Sequence, residues 1–220
     1  MYGTSPNLVI GFHGCDLEVR DKLLLNSDSF EPSRKPYNWL GDGIYFWENN
    51  PTRAMQWAED KQRKGQLKQA CVMGAVLDLN NCCDLLNTYY INVLRLHYDA
   101  IKSETIRIEN LPKNIDPKGI SNGDKVIRYL DYAIIENMHL RINQTRMEEY
   151  EKYGFARTQA FDSVRAGFIE GVPVYEGASI HDKTHIQICI RNPNCILGLF
   201  APRKEVDYQK LTVRNQAISN

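Results

Sequence analysis

Two segments constrain this chain more than anything else in it: Val9-Ile10-Gly11-Phe12-His13-Gly14 and Gly41-Asp42-Gly43-Ile44-Tyr45-Phe46. Each is an apolar run that reads as a short strand, with one polar or aromatic side chain presented near its end, His13 in the first and Tyr45 in the second. Asp16 caps a helix expected to run to about Leu24, with Leu17, Val19, Leu23 and Leu24 as its apolar stripe. The Ser-, Asp-, Pro- and Asn-containing stretch 26–41 reads as loop, and Ile44–Trp47 as the next strand. Asn50-Pro51 then opens a helix, a capping side chain followed by proline at the first helical position. That helix should reach about Gly65, with Ala54, Trp57 and Ala58 on one face, before a strand at Ala70–Leu79.

The pattern changes over about 84–157. Val126, Leu130, Ile134, Met138 and Ile142 recur every four residues, the spacing of a long amphipathic helix. Leu85–Ile101 contains another helix, and 103–123 is a polar connector. Strand signals resume at Ser163–Phe168, Val172–Tyr175, His185–Arg191 and Cys195–Phe200, and the residues from about Lys204 read as a loosely docked polar tail. Strands at both ends with helices between them predict an α+β domain carrying a helical insertion.

A chain of 220 residues, 43% hydrophobic and 25% charged, is long enough for one well-buried domain. Lys plus Arg equals Asp plus Glu at 27 each, so no global field recruits nucleic acid or an anionic membrane. Neither a membrane span nor a signal peptide is expected, and the chain reads as cytoplasmic. Its six cysteines form no Cys-x-x-Cys pair, and reduced, packed thiols are expected. His181 and His185 lie four apart, but His185 opens a strand-like run, so no metal site is expected.

In this order and at this separation, the two opening motifs resemble the first elements of the ADP-ribosyltransferase fold. Within that superfamily they look like the branch of poly(ADP-ribose) polymerases and diphtheria-type toxins, whose triad is His-Tyr-Glu. The resemblance covers about 7–80 and 160–203. It implies a single domain over 1–220, a core of two small packed sheets and a family-specific helical insertion at about 84–157. It also implies NAD⁺ as substrate and a site that holds the dinucleotide bent while stabilising a ribosyl oxocarbenium ion. The pyridinium leaving group needs little acid–base help, so the task is positioning and electrostatics.

The resemblance assigns His13 to the adenosine ribose, as hydrogen-bond donor, and the backbone of Gly14 to the nicotinamide amide. Tyr45 would stack on the nicotinamide ring, while Gly41 and Gly43 let the preceding turn pass close to the ligand. A second aromatic from the following helix would be Trp57, one position beyond the family spacing, with Gln56 in the expected slot. The third triad position falls at Gln187, on a strand where Ile186, Ile188 and Ile190 face the core and His185, Gln187, Cys189 and Arg191 share the other face. An amide there can bond the ribose 2′-OH but contributes no negative charge. Glu176 or Glu170 would compensate, though each also reads as a solvated turn charge. Arg165 is a candidate for the NAD⁺ pyrophosphate, or for pairing with Glu170 or Asp162. A mono-ADP-ribosyltransferase of the toxin or effector type is the expected activity, with a protein or nucleic-acid acceptor and an inhibitory partner protein as a further expectation. NAD⁺ hydrolysis and an inactive NAD⁺- or ADP-ribose-binding module are the alternatives.

Overall fold

The computed structural model describes residues 8–26, 30–104, 111–116 and 125–204, so the expected polar tail beyond Lys204 lies outside the described residues. In chain order the elements are β1 (Leu8–Asp16), α1 (Leu17–Leu25), β2 (Ile44–Glu48), α2 (Pro51–Arg63), β3 (Ala70–Asp78), β4 (Cys82–Asp84) and α3 (Thr88–Glu104). There follow β5 (Asn114–Ile115), β6 (Ile127–Arg128), α4 (Tyr129–Tyr153), β7 (Ser163–Phe168), β8 (His185–Ile190) and β9 (Ile196–Phe200). The fold is α+β. Seven strands form a sheet in the order β4-β7-β8-β2-β1-β3-β9, and β5 and β6 make a separate two-stranded sheet.

Local chemistry sets the element ends. The Asp16 carboxylate accepts from Glu18 N at the start of α1 and also from Lys68 N at 2.6 Å, tying the helix to the approach of β3. Asn50 Oδ1 accepts from Arg53 N at 2.9 Å, and Pro51 opens α2. Gly154, left-handed at φ 76°, closes α4.

β8 lies inside the sheet and is covered on both faces. Ile188 and Ile190 join Phe46, Ala75 and Leu77 in one apolar cluster, while Cys189 joins Trp39, Leu40, Ile135, Met138 and Val164 in another. All six cysteines are free, and Cys15 and Cys71 touch across β1 and β3 with their Sγ atoms 3.7 Å apart.

Two expectations need correcting. The strands do not separate into two packed sheets, because β1 and β2 stay joined through the partners Gly11–Glu48 and Phe12–Trp47. Val172–Tyr175 is not a strand: Val172, Val174 and Tyr175 are exposed, Gly171 and Gly177 have positive φ, and the segment contributes only an isolated bridge from Pro173 to His181. Within the stretch expected as an insertion, Ile135 and Met138 of α4 are buried in one cluster with Trp39, Leu40 and Cys189 of β8. β4, a three-residue parallel partner of β7, is an element that residue periodicity did not indicate.

Candidate functional site

β1 pairs with β3 along nine residues but with β2 along only two, so the β1–β2 seam opens just past Phe12 and Trp47. A cleft of about 730 Å³ occupies this region, a volume typical of small-molecule sites. His13, Gly14, Gly43, Tyr45, Trp57 and Gln187 all line it. The cleft thus gathers residues from β1, β2, α2 and β8, together with the loop that precedes β2.

His13 is held at the seam. Its Nδ1 lies 2.7 Å from the Tyr45 carbonyl oxygen, and its ring sits edge-on to Phe30 and Phe46. A carbonyl only accepts, so Nδ1 carries the hydrogen. Burial pushes the His13 pKa down, favouring the neutral ring, and Nε2 is then an acceptor. In this tautomer Nε2 offers a lone pair rather than the hydrogen that the resemblance assigns to it.

Gly14 is required by packing, since a Cβ there would collide with the Ala54 carbonyl oxygen of α2. Gly43 is similar, because a Cβ would come within 2.5 Å of both Cys189 Sγ and the Ile190 carbonyl oxygen on β8. Both glycines let an element close against the wall of the cleft.

Tyr45 presents its ring to the cleft and spends its hydroxyl on the preceding turn. The phenol donates to Gly41 O at 2.8 Å and accepts from Leu40 N at 3.0 Å. Burial raises its pKa well above the usual phenol value, so the hydroxyl stays protonated. From α4, Glu136 Oε1 accepts from Asp42 N at 2.8 Å and from Arg191 Nη1 at 2.5 Å, and Tyr132 donates to Asp42 Oδ1 at 3.0 Å. The long helix thereby fixes the Gly41-Asp42-Gly43 turn.

Gln187 is oriented by Trp39. Trp39 Nε1 donates to Gln187 Oε1 at 2.6 Å, and since an indole N–H cannot accept, the amide orientation is decided. Trp39 is in turn stacked by the Arg128 guanidinium, 4.5 Å from its ring centroid and 4.3 Å from that of Phe168. The Gln187 side chain thus has its oxygen engaged and its NH₂ left for the cleft.

The opposite wall comes from α2 and the end of β2. Trp57 packs against Trp47 with centroids 5.7 Å apart, and Lys61 Nζ sits 5.2 Å from the Trp57 ring. Gln56, in the slot where an aromatic was expected, is exposed. Arg53 is only 5% exposed and donates from Nη2 to Glu170 Oε2 at 2.5 Å. Both residues line the cleft, and sequence reasoning missed Arg53 because its partner lies 117 positions away.

Two expected site residues lie elsewhere. Arg165 is committed to carboxylates: its Nε and Nη2 donate to Glu48 at 2.5 and 2.9 Å, and Nη1 donates to Asp84 at 3.0 Å. It does not line the cleft and pairs with neither Glu170 nor Asp162. Glu176 is exposed in the turn between β7 and β8 and also lies outside the cleft lining. Of the two acids expected to compensate for Gln187, Glu170 lines the cleft, and Glu31 lines it as well.

No family model matches the chain, and no solved structure matches it. The chain is similar to the uncharacterized protein MJ0359 of Methanocaldococcus jannaschii, 26% identical over 206 residues that cover 86% of this chain and 84% of that one.

Proposed function

We propose that the chain is an NAD⁺-dependent mono-ADP-ribosyltransferase acting in the cytoplasm as a toxin or effector. The observation that carries this reading is the convergence of His13, Tyr45, Trp57 and Gln187 on one cleft, at the seam between the two strands whose motifs resemble that family. In this reading His13 Nε2 accepts from a ribose hydroxyl and Tyr45 offers a face to the nicotinamide ring. The C1′–N bond breaks with its electron pair leaving on nicotinamide, a nucleophilic oxygen or nitrogen of the acceptor adds to C1′, and its proton passes to water. Gln187 would hold the ribose through its NH₂, as a donor to the 2′-oxygen. The acceptor is a protein or a nucleic acid.

The engagement of Gln187 Oε1 by Trp39 specifically favours a second reading, in which the cleft binds NAD⁺ or ADP-ribose without turnover. A neutral donor at this position adds no negative charge against an oxocarbenium ion, and lost electrostatic stabilisers of this kind cost about 3–4 kcal/mol of barrier elsewhere. Incubating the protein with NAD⁺ labelled on the adenylate and with a cell lysate separates the readings. Label on a macromolecule, assigned with nuclease and protease, is expected for transfer. Free ADP-ribose would indicate hydrolysis, and intact NAD⁺ that protects the protein from thermal unfolding would indicate a binding module.

A further inference from the structure

The chain as a whole is neutral, with Lys plus Arg and Asp plus Glu at 27 each, but the wall of the cleft is not. Lys22, Lys35, Arg53 and Lys61 line it against two carboxylates, Glu31 and Glu170. The Arg53–Glu170 ion pair cancels one of each. Three lysines are left facing one acid, and none of the three enters an ion pair among the described residues. They come from separate parts of the fold: Lys22 from α1, Lys35 from the loop before β2, and Lys61 from α2. Aromatic rings alternate with them. Tyr37, 46% exposed, lines the cleft beside Lys35, whose Nζ lies 5.8 Å from its ring centroid, and Lys61 sits over Trp57 in the same way.

A wall of this composition attracts a polyanion, and the rings narrow the choice. A base stacks on an exposed ring whatever its identity, whereas the carboxylates of an acidic peptide gain nothing from one. NAD⁺ brings one pyrophosphate, and lysines on three separate elements suit a longer run of phosphates. A duplex fits poorly, because a base must leave its stack to reach the His13–Tyr45 seam. We propose that the lysine side of the cleft is a track for single-stranded nucleic acid, and that this strand, rather than a protein, accepts the ADP-ribose. This rests on the NAD⁺ reading and names its acceptor. Backbone phosphates lie along Lys22, Lys35 and Lys61, and one base stacks on Tyr37. A nitrogen of a neighbouring base adds to C1′ as the C1′–N bond breaks onto nicotinamide, and its proton passes to water.

Fluorescence anisotropy of the full chain with single-stranded RNA and DNA oligonucleotides, their duplexes and a polyglutamate peptide tests the track. Transfer of label from NAD⁺ to the same oligonucleotides tests the acceptor. A single strand should bind best, with log K falling against log salt at a slope of roughly −2 for three phosphate contacts. Lys22→Gln, Lys35→Gln and Lys61→Gln should each reduce that slope by about 0.7. Tyr37→Ala should weaken binding about five-fold or more with the slope unchanged, and Tyr37→Phe should restore it. Lys22, Lys35 and Tyr37 are exposed, so their variants should fold like the wild type. A duplex or the peptide bound as tightly as the single strand, or a slope that no lysine change alters, would overturn the track. Label from NAD⁺ that resists nuclease and yields to protease in a lysate would overturn the acceptor while leaving the NAD⁺ reading intact. Strand binding without any NAD⁺ binding would instead remove the NAD⁺ reading, and the acceptor role with it.

Discussion

Trp39 Nε1 and Gln187 Oε1, 148 positions apart in the chain, lie 2.6 Å from each other, and this contact determines what the third cleft position can offer a ligand. A carboxylate in the same place would accept the indole N–H with one oxygen and keep the other for the ribose. The amide keeps a donor instead.

Exchanging Gln187 should therefore change rate more than affinity. Gln187→Glu is expected to retain or raise turnover of NAD⁺ by restoring a charge that matters as the oxocarbenium ion develops. Gln187→Ala should lower kcat with NAD⁺ affinity mostly intact, and Trp39→Phe, which frees the amide to rotate, should lower it by a smaller factor. Steady-state kinetics with labelled NAD⁺ checks all three, and a silent Gln187 series would dismiss the residue from the chemistry.

The two functions of Tyr45 can be separated by substitution. Tyr45→Phe removes the bonds to Gly41 O and Leu40 N and should cost about 1–3 kcal/mol of folding stability, with the ring left in the cleft. Tyr45→Ala should in addition weaken NAD⁺ binding by about 1–3 kcal/mol, by comparison with aromatic–base stacking. Urea unfolding and calorimetry together distinguish these effects, and undiminished affinity in a folded Tyr45→Ala protein would rule out stacking.

Arg165 should behave as a structural residue. Arg165→Met leaves Glu48 and Asp84 near one another without their shared cation, in a region where all three side chains are less than one-fifth exposed. A loss of about 2–3 kcal/mol is expected, below that for breaking a fully buried pair. Affinity for NAD⁺ should be unchanged; a binding defect matched by no stability defect would return Arg165 to the ligand.

Acid should destabilise the fold well before its carboxylates protonate. Burial lowers the pKa of His13, His97, His139 and His185 below the ordinary 6.5, that of His139 to about 3. Below pH 6.5 the unfolded chain takes up protons that these folded rings refuse, so stability is complete above 6.5 and is lost as pH falls. Each such histidine contributes a slope of at most ~1.4 kcal/mol per pH unit. Urea titrations between pH 7.5 and 5 should show stability falling with acidity, and His139→Phe should reduce the slope by about one proton's share. A flat profile over that range would contradict the burial of these rings.

Sequence reading reached the elements that periodicity or capping marks, and little of what depends on meeting across the fold. β1, β2, β3, β7, β8 and β9 were legible as apolar runs, and α2 from Asn50-Pro51. The run at Val172–Tyr175 misled because apolar residues there stand exposed between two positive-φ glycines, a feature only tertiary structure reveals. β4 escaped because three residues, Cys82–Asp84, are too few to show a period. In the cleft, His13, Tyr45 and Gln187 were found because each sits in a strand motif. Arg53 sits on the buried side of a helix whose pattern looked satisfied by Ala54 and Ala58, and Trp39 lies in a stretch that reads as plain loop.

The imidazole of His13 stands where a backbone amide would otherwise have met the Tyr45 carbonyl, as a side-chain rung in a ladder that has stopped. It bridges the two strands at the point where their backbone pairing ends. Shortening it would remove this bridge together with the proposed ligand contact, so lost activity in His13→Ala would measure both the loss of the rung and any hydrogen bond to ribose. Only a side chain that keeps the rung while altering Nε2 would isolate the latter.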